Sequence, residues 1–272
     1  MGNLFLLEGK NCVNRKSFQI VFAILMFLSA GSFLVTCYHF YGDSLTQIRA
    51  AHETSMLRGV YSTSFAIMLT VLLPLLATMI YSDSFYSEVQ SGVYKSVVTR
   101  TGMTKYICVK AVCTFGLTFF AFLIPLMLNL LLNLIAFPVE GYDNNYSLPP
   151  YVLDYYEQNM FELLRLESPY LYVCLFAAIL SMFAGLLSLL AFSIYLYVSK
   201  GKFFVHSGVF IGYILLHLFS SKIGMEKISI LTYVRTESEG DPVVMMGWMI
   251  GLFIVSFLMI AYKLYRFDAE IE

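Results

Sequence analysis

The 272 residues hold few groups able to do chemistry, and their spacing limits what that chemistry is. His206 and His217 lie eleven residues apart, about three helical turns, which sets both imidazoles on roughly one face of a helix. A metal ion needs more donors than these two, and no carboxylate stands between them, so hydrogen bonding is their expected role and no metal site is assigned. Cys12, Cys37, Cys108, Cys113 and Cys174 are odd in number and form no C-x-x-C pair, and they read as buried structural thiols. Ser188 and Ser193 sit in ordinary helical sequence, without the Gly-rich setting of an intramembrane serine protease. Neither G-x-x-x-x-G-K-[ST] nor H-E-x-x-H occurs, so the chain carries no P-loop for ATP and no zinc-protease helix. No catalytic residue is assigned, and no cofactor is expected on this chain.

The remaining candidates are polar groups placed at helical spacing. Across 82–105 a polar stretch separates two apolar blocks, and within it Phe85, Val89 and Val93 recur every four residues beside Gly92. Asp83 and Glu88 come early in this stretch, and Lys95, Arg100, Lys105 and Lys110 follow. The pattern predicts a short amphipathic helix over 85–93, a turn around Thr101-Gly102, and a new membrane helix from about Lys105. Asn129 and Asn133, four residues apart in an apolar run, either hydrogen-bond across helices or line a pathway. Gly208-x-x-x-Gly212 and Gly247-x-x-x-Gly251 mark faces on which helices can approach closely.

The elements that must position these groups are membrane helices. The chain is 59% hydrophobic and 13% charged, and its apolar residues fall in runs long enough to cross a bilayer. The ten-residue alternation of a membrane barrel is absent. The expected fold is an all-α polytopic membrane protein, one transmembrane domain over 1–272. Its six spans are expected at about 17–38, 59–81, 106–137, 169–198, 203–220 and 242–262. Residues 1–16 read as an interfacial helix. The apolar run after Lys10, Arg15 and Lys16 lacks a small-residue cleavage site and is expected to be a retained anchor. Pro74 should kink its span, and the long third span should tilt, bend at Pro125 or project beyond the bilayer. Outer loops are expected at 138–168, with an amphipathic surface helix over 151–166, and at 221–242. In the second, Ile228, Ile230, Leu231, Tyr233 and Val234 are expected to dip into the interface. A short link over 199–202 joins spans four and five.

Six spans place both termini on one side. The segments on that side contain Lys10, Arg15, Lys16, Lys95, Arg100, Lys105, Lys110, Lys200, Lys202, Lys263 and Arg266, eleven of the 17 basic residues. The opposite loops hold Arg49, Arg58, Arg165, Lys222, Lys227 and Arg235. By the positive-inside rule the termini and the 83–105 segment are cytoplasmic. The acidic outer loops either attract cationic peptides by their long-range field or form ordinary solvated surface.

Glu88, then Gly92, Val93 with Val97 and Val98, then Arg100-Thr101, Lys105 and Lys110 form an ordered series between spans two and three. With the interfacial first helix and six spans, this resembles the permease subunit of type-2 ATP-binding-cassette exporters. The likeness is to the small bacterial permeases of peptide-antibiotic export and immunity systems. It covers the whole chain in topology but only about 83–110 in motif, and the Pro common in the family's basic turn is replaced by Thr99-Arg100-Thr101-Gly102. The resemblance implies a separate ATPase subunit in two copies, which would bind ATP and Mg, and a second permease subunit, identical or related. It further implies that Phe85, Glu88, Val89, Gly92 and Val93 form a coupling helix docked on the ATPase. Arg100 and Lys105 would then meet lipid headgroups or the ATPase rim, with Lys110 at the membrane re-entry. The location implied is the bacterial cytoplasmic membrane, and the cargo a peptide, antibiotic or lipid-like amphiphile.

Charged residues are nearly absent from the middle of the spans, whereas ion-coupled carriers keep buried charges on their pathway. Secondary transport is therefore disfavoured. The alternative from another class is a non-transporting scaffold or sensor that binds a ligand through its outer loops. Nothing in the composition suggests nucleic acid as a partner.

Overall fold

Apolar runs bounded by glycine, proline and charge set the helices of this chain. The computed structural model describes residues 2–44, 48–140, 155–198, 201–236 and 238–269. The leading segment forms α1 (Gly2–Val13), and the first long apolar run is α2 (Lys16–His39). A single turn, α3 (Ala51–Thr54), precedes α4 (Thr63–Tyr81). The polar stretch folds as α5 (Ser84–Ser91) and α6 (Val93–Thr101), and α7 (Met103–Ala136) follows. Then come α8 (Glu162–Glu167), α9 (Pro169–Tyr195), α10 (Lys202–Ile223), α11 (Ile230–Val234) and α12 (Pro242–Ala269). Six helices are long and apolar enough to cross a membrane: α2, α4 running on into α5, α7, α9, α10 and α12. This is the all-helical build of a multi-pass membrane protein, with no named strand among the described residues.

Three local expectations are corrected. The helix expected over 85–93 stops at Ser91, because Gly92 adopts φ 74°, a left-handed conformation that ends helices and that glycine takes without a Cβ clash. A second helix, α6, then leads to the turn at Gly102, where φ is 80°. Of the surface helix expected over 151–166, residues 151–154 lie outside the described residues. Residues 155–161 are irregular chain and turns with an isolated bridge from Asn159 to Glu239, and only α8 is helical. The apolar residues of α11 do not dip into a membrane surface: Ile230, Leu231, Tyr233 and Val234 are buried in the bundle core. In the link expected over 199–202, Ser199 and Lys200 lie outside the described residues.

α9 is the most buried span and α10 the least. α9 packs chiefly against α7, with α4 and α12 beside it. The close approach of α7 and α9 rests on Gly185: a Cβ there would fall 2.9 Å from the Phe115 ring and 3.2 Å from the Phe115 carbonyl oxygen. The glycines singled out by spacing are elsewhere. A Cβ at Gly208, Gly212, Gly247 or Gly251 would meet nothing within 4 Å, so these four pack no helix within this chain. Their four-residue spacing reports helical register, whereas the tight contact needs only one glycine opposite a ring.

Polar groups inside the bundle are tied across helices. Pro74 has no N–H to give the Thr70 carbonyl one turn back, and the Tyr213 hydroxyl of α10 donates to that oxygen at 3.1 Å. Asn129 is a hub between α7, α2 and the loop after α3. Its Nδ2 donates to the Ser29 carbonyl and to Ser32 Oγ, both at 2.8 Å, and its Oδ1 accepts from the Met56 N–H at 2.7 Å. Asn133 Nδ2 donates to the Asn129 carbonyl at 2.8 Å. Both side chains are buried: Asn129 makes the inter-helix bonds, whereas those of Asn133 stay within α7.

Gly185→Ala should therefore destabilise the protein by about 1–3 kcal/mol through overpacking. Gly212→Ala should stay within about 0.5 kcal/mol of the parent. Unfolding of the two purified variants in neutral detergent checks both.

Candidate functional site

Charged side chains in or beside a bilayer are held only where partners meet them, so the ion pairs locate the places under constraint. The larger cluster sits at the end of the bundle that carries α1, α5 and α6. On α1, Leu4, Glu8 and Cys12 recur every four residues and face inward. Leu4 packs on the core, and Glu8 and Cys12 are buried. On α7, Tyr106 and Lys110 are likewise four apart and fully buried. Lys110 Nζ donates to Glu8 Oε2 at 2.8 Å and to Glu88 Oε1 of α5 at 2.6 Å. The Tyr81 hydroxyl at the end of α4 donates to Glu8, and the Tyr106 hydroxyl donates to Glu88. The ammonium also lies 5.1 Å from the centre of the Tyr106 ring and 5.4 Å from that of Tyr81.

A second pair closes the cluster. Arg15, in the joint between α1 and α2, reaches Asp83 Oδ1 at 2.6 Å, with its guanidinium 5.2 Å from the Tyr81 ring centre. Ser87 donates to the other Asp83 oxygen at 3.1 Å. Three carboxylates and two cations thus join α1, α4, α5 and α7 within one polar core. Burial pushes the Cys12 thiol up to about 12, and nearby Arg15 offsets only part of this, so the thiol stays protonated and inert.

The structure divides the residues expected to act together on α5. Phe85 is buried, with its ring 6.3 Å from Tyr106 and 6.5 Å from Tyr94, and Glu88 turns to Lys110. Val89, Gly92 and Val93 are on the exposed side. The basic series divides as well: Arg100 and Lys105 are exposed, whereas Lys110 is sealed inside. Sequence reasoning missed Glu8, Arg15, Tyr81 and Tyr106. The available signal was Glu8 itself, the only acid in 1–16 and four residues from Leu4 and from Cys12 in an otherwise apolar register.

At the other end of the bundle a smaller cluster surrounds Glu53 of α3. Arg58 Nη2 lies 3.7 Å from Glu53 Oε1 and Arg49 Nη1 lies 3.8 Å from Oε2, while the Arg58 guanidinium stands 5.6 Å from the Tyr172 ring centre. Arg165 Nε donates to Glu162 at 2.9 Å. Burial raises the Glu162 carboxyl, but the Arg165 hydrogen bond, the Tyr156 N–H and the Arg165 charge outweigh it and hold the group below its ordinary value. His52 is buried beside Glu53, and its Nδ1 has no hydrogen-bond partner among the described residues. Burial, then the charges of Arg58 and Arg165, lower His52 to about 4.

The two histidines of α10 serve separate contacts: His206 Nε2 is 3.1 Å from the Tyr195 hydroxyl, and His217 Nδ1 is 3.0 Å from Ser229 Oγ. Ser188 Oγ accepts from Thr118 at 3.1 Å, and Ser193 donates to the Leu190 carbonyl at 2.7 Å. Among the described residues no group of three or more His, Cys, Asp or Glu is placed to hold a metal ion. No family model matches the chain, and comparison with curated proteins and with solved structures finds no similar one.

Removing the ammonium while leaving the carboxylates of buried Glu8 and half-buried Glu88 facing each other should be severe. Lys110→Met is expected to destabilise by about 3–5 kcal/mol, whereas Lys105→Met should change stability by less than about 0.5 kcal/mol. Adding Glu8→Gln and Glu88→Gln to Lys110→Met should recover much of the loss, as read by unfolding in detergent. The outer cluster predicts a pH effect. His52 binds its proton more weakly folded, at about 4, than unfolded, at 6.5, so stability falls as pH falls through 6.5 towards 4. The loss should total about 3 kcal/mol relative to a His52→Gln variant, measured by melting across that range. Glu162 adds its own loss at the acid end, as pH falls from its ordinary value of 4.5 towards its lowered one.

Proposed function

We propose that this chain is the membrane-spanning subunit of an ATP-driven exporter of the type-2 ATP-binding-cassette kind, with hydrolysis supplied by a separate ATPase chain. The observation that carries the reading is the α5–Gly92–α6 unit. It lies between α4 and α7, is bound to α1 and α7 through Glu8–Lys110–Glu88, and presents Val89 and Val93 outward. Such a unit can take a push from a docked soluble motor and deliver it to two spans, because packed helices shift as rigid bodies between discrete arrangements. On this reading Val89, Gly92 and Val93 face the ATPase, while Phe85 and Glu88 hold the unit to the bundle. The excess of basic residues at this end supports a cytoplasmic location for α5, α6 and both termini in a bacterial cell membrane. Two copies, or this chain and a related one, would sit on two ATPase subunits and move a peptide, antibiotic or lipid-like amphiphile.

A ligand-binding scaffold is the second reading. It is favoured by a 670 Å³ polar cavity at the opposite end, lined by His217, Glu226, Lys227, Arg235 and Glu239 among others.

The tagged chain, purified from its own cells, should bring down an ATP-binding-cassette ATPase. Val89→Asp should abolish this association while the protein still melts as a folded species. Purification of a folded chain without any ATPase, or undiminished association in Val89→Asp, overturns the exporter reading. Ligand binding at the opposite end without an ATPase would instead support the scaffold.

A further inference from the structure

A cavity of 260 Å³ opens where α5 and α6 meet the ends of α9 and α12. Its walls include five aromatic rings, those of Phe85, Tyr86, Tyr94, Tyr195 and Tyr197, and its one charged lining residue among the described residues is Lys263. The tyrosines present rings rather than hydroxyls as its polar chemistry, because most of the hydroxyls are engaged elsewhere. The Tyr86 hydroxyl accepts from Gln90 Nε2 at 2.6 Å and from the Gly201 N–H at 3.2 Å. The Tyr195 hydroxyl meets His206 at 3.1 Å, and the Tyr197 hydroxyl donates to the Met259 carbonyl at 2.5 Å. Lys263 Nζ stands 5.4 Å from the Tyr197 ring centre. An apolar box with a cation at its edge is complementary to an apolar body that ends in a negative charge. Aromatic walls alone would equally suit a quaternary ammonium, but the lysine opposes a second cation.

Size and position identify the source of such a ligand. The volume falls below the range of about 300–1,000 Å³ that encloses a whole drug-sized molecule, so the cavity holds one end of a longer one. Tyr195 is the last residue of α9, and Tyr262 and Tyr265 of α12 are exposed nearby in sequence to Lys263, as aromatic residues at a headgroup boundary are. The mouth therefore lies at the surface of a bilayer leaflet.

We propose that this cavity binds an anionic phospholipid of that leaflet, with the start of its apolar part among the rings and its headgroup at Lys263. The inference concerns the chain alone and does not require an ATPase partner.

Native mass spectrometry of the purified chain in neutral detergent tests it, with dioleoyl-phosphatidylglycerol and dioleoyl-phosphatidylcholine as probes. The parent should prefer the anionic lipid by about fivefold, the share one lysine near a membrane surface supplies. Lys263→Glu should abolish or invert that preference, and Lys105→Glu, an exposed basic residue at the same end, should retain it. Val89→Trp, which fills the cavity from a half-exposed position, should weaken binding of both lipids. Sodium laurate serves as a soluble competitor. Its failure to displace the phospholipid supports a bilayer source, and full displacement at equal concentration overturns it in favour of free anionic amphiphiles. Equal losses in Lys263→Glu and Lys105→Glu, or none in either, overturn the site and leave only general surface attraction. Melting curves exclude unfolding as the cause.

Discussion

An ammonium buried in a membrane protein has to be met within a few ångströms, or it takes no stable position there. Lys110 meets this requirement with two carboxylates and two aromatic rings that come from four parts of the chain. The constraint works outward from this one side chain. It fixes the rotation of α1, which must direct Glu8 inward, and the placement of α5, which must direct Glu88 inward. It also fixes the height of the first turns of α7 against the end of α4, where Tyr81 covers Glu8. Apolar packing alone would leave the rotation of a short surface helix such as α1 weakly determined, since Leu and Phe tolerate many contacts and an ion pair with directed hydrogen bonds does not.

α7 carries this constraint across the protein. From Lys110 to the hub at Asn129 is 19 residues, about 28 Å of helix, and both positions are locked to other elements by directed polar contacts. Between them the helix lies on α9 at Gly185, where the Phe115 ring leaves no space for a Cβ. The least buried spans, α10 and α12, are tied as well: Tyr213 of α10 holds the carbonyl freed by Pro74, His206 of α10 meets the Tyr195 hydroxyl of α9, and the Met259 carbonyl of α12 accepts from Tyr197.

The helices were legible from the sequence because an apolar run long enough to cross a bilayer has no other stable form there. The observed α2, α4, α7, α9, α10 and α12 begin or end within a few residues of the expected spans, apart from the longer tail of α12. The break at Gly92 was harder to see, because Phe85, Val89 and Val93 keep helical spacing across it. Spacing reports a face only while the helix continues. Glu88 shows a different limit. Its partner Lys110 is 22 residues away, but Glu8, which completes the cluster, is 102 residues from Lys110, and no local pattern encodes that meeting. The glycine motifs failed for a related reason: which glycine faces a neighbour depends on where the neighbour is, and Gly185 stands in no G-x-x-x-G repeat.

The form of the Lys110 joint also bears on how α5 would move under the exporter reading. A buried ion pair is seldom the most stable filling for its space, since apolar residues of equal volume often do as well or better. What it adds is a choice of partners. Lys110 has one carboxylate on α1 and another on α5, and each carboxylate has a tyrosine donor of its own. When the ammonium leans towards Glu8, Glu88 keeps the Tyr106 hydrogen bond; when it leans towards Glu88, Glu8 keeps that of Tyr81. Neither carboxylate is left bare in either arrangement, so the cost of shifting α5 against α1 stays well below that of breaking a lone buried pair. A joint in which each carboxylate has a donor besides the ammonium is the kind of element whose balance a docked partner could tip, because a partner moves an equilibrium only by binding one arrangement better than another.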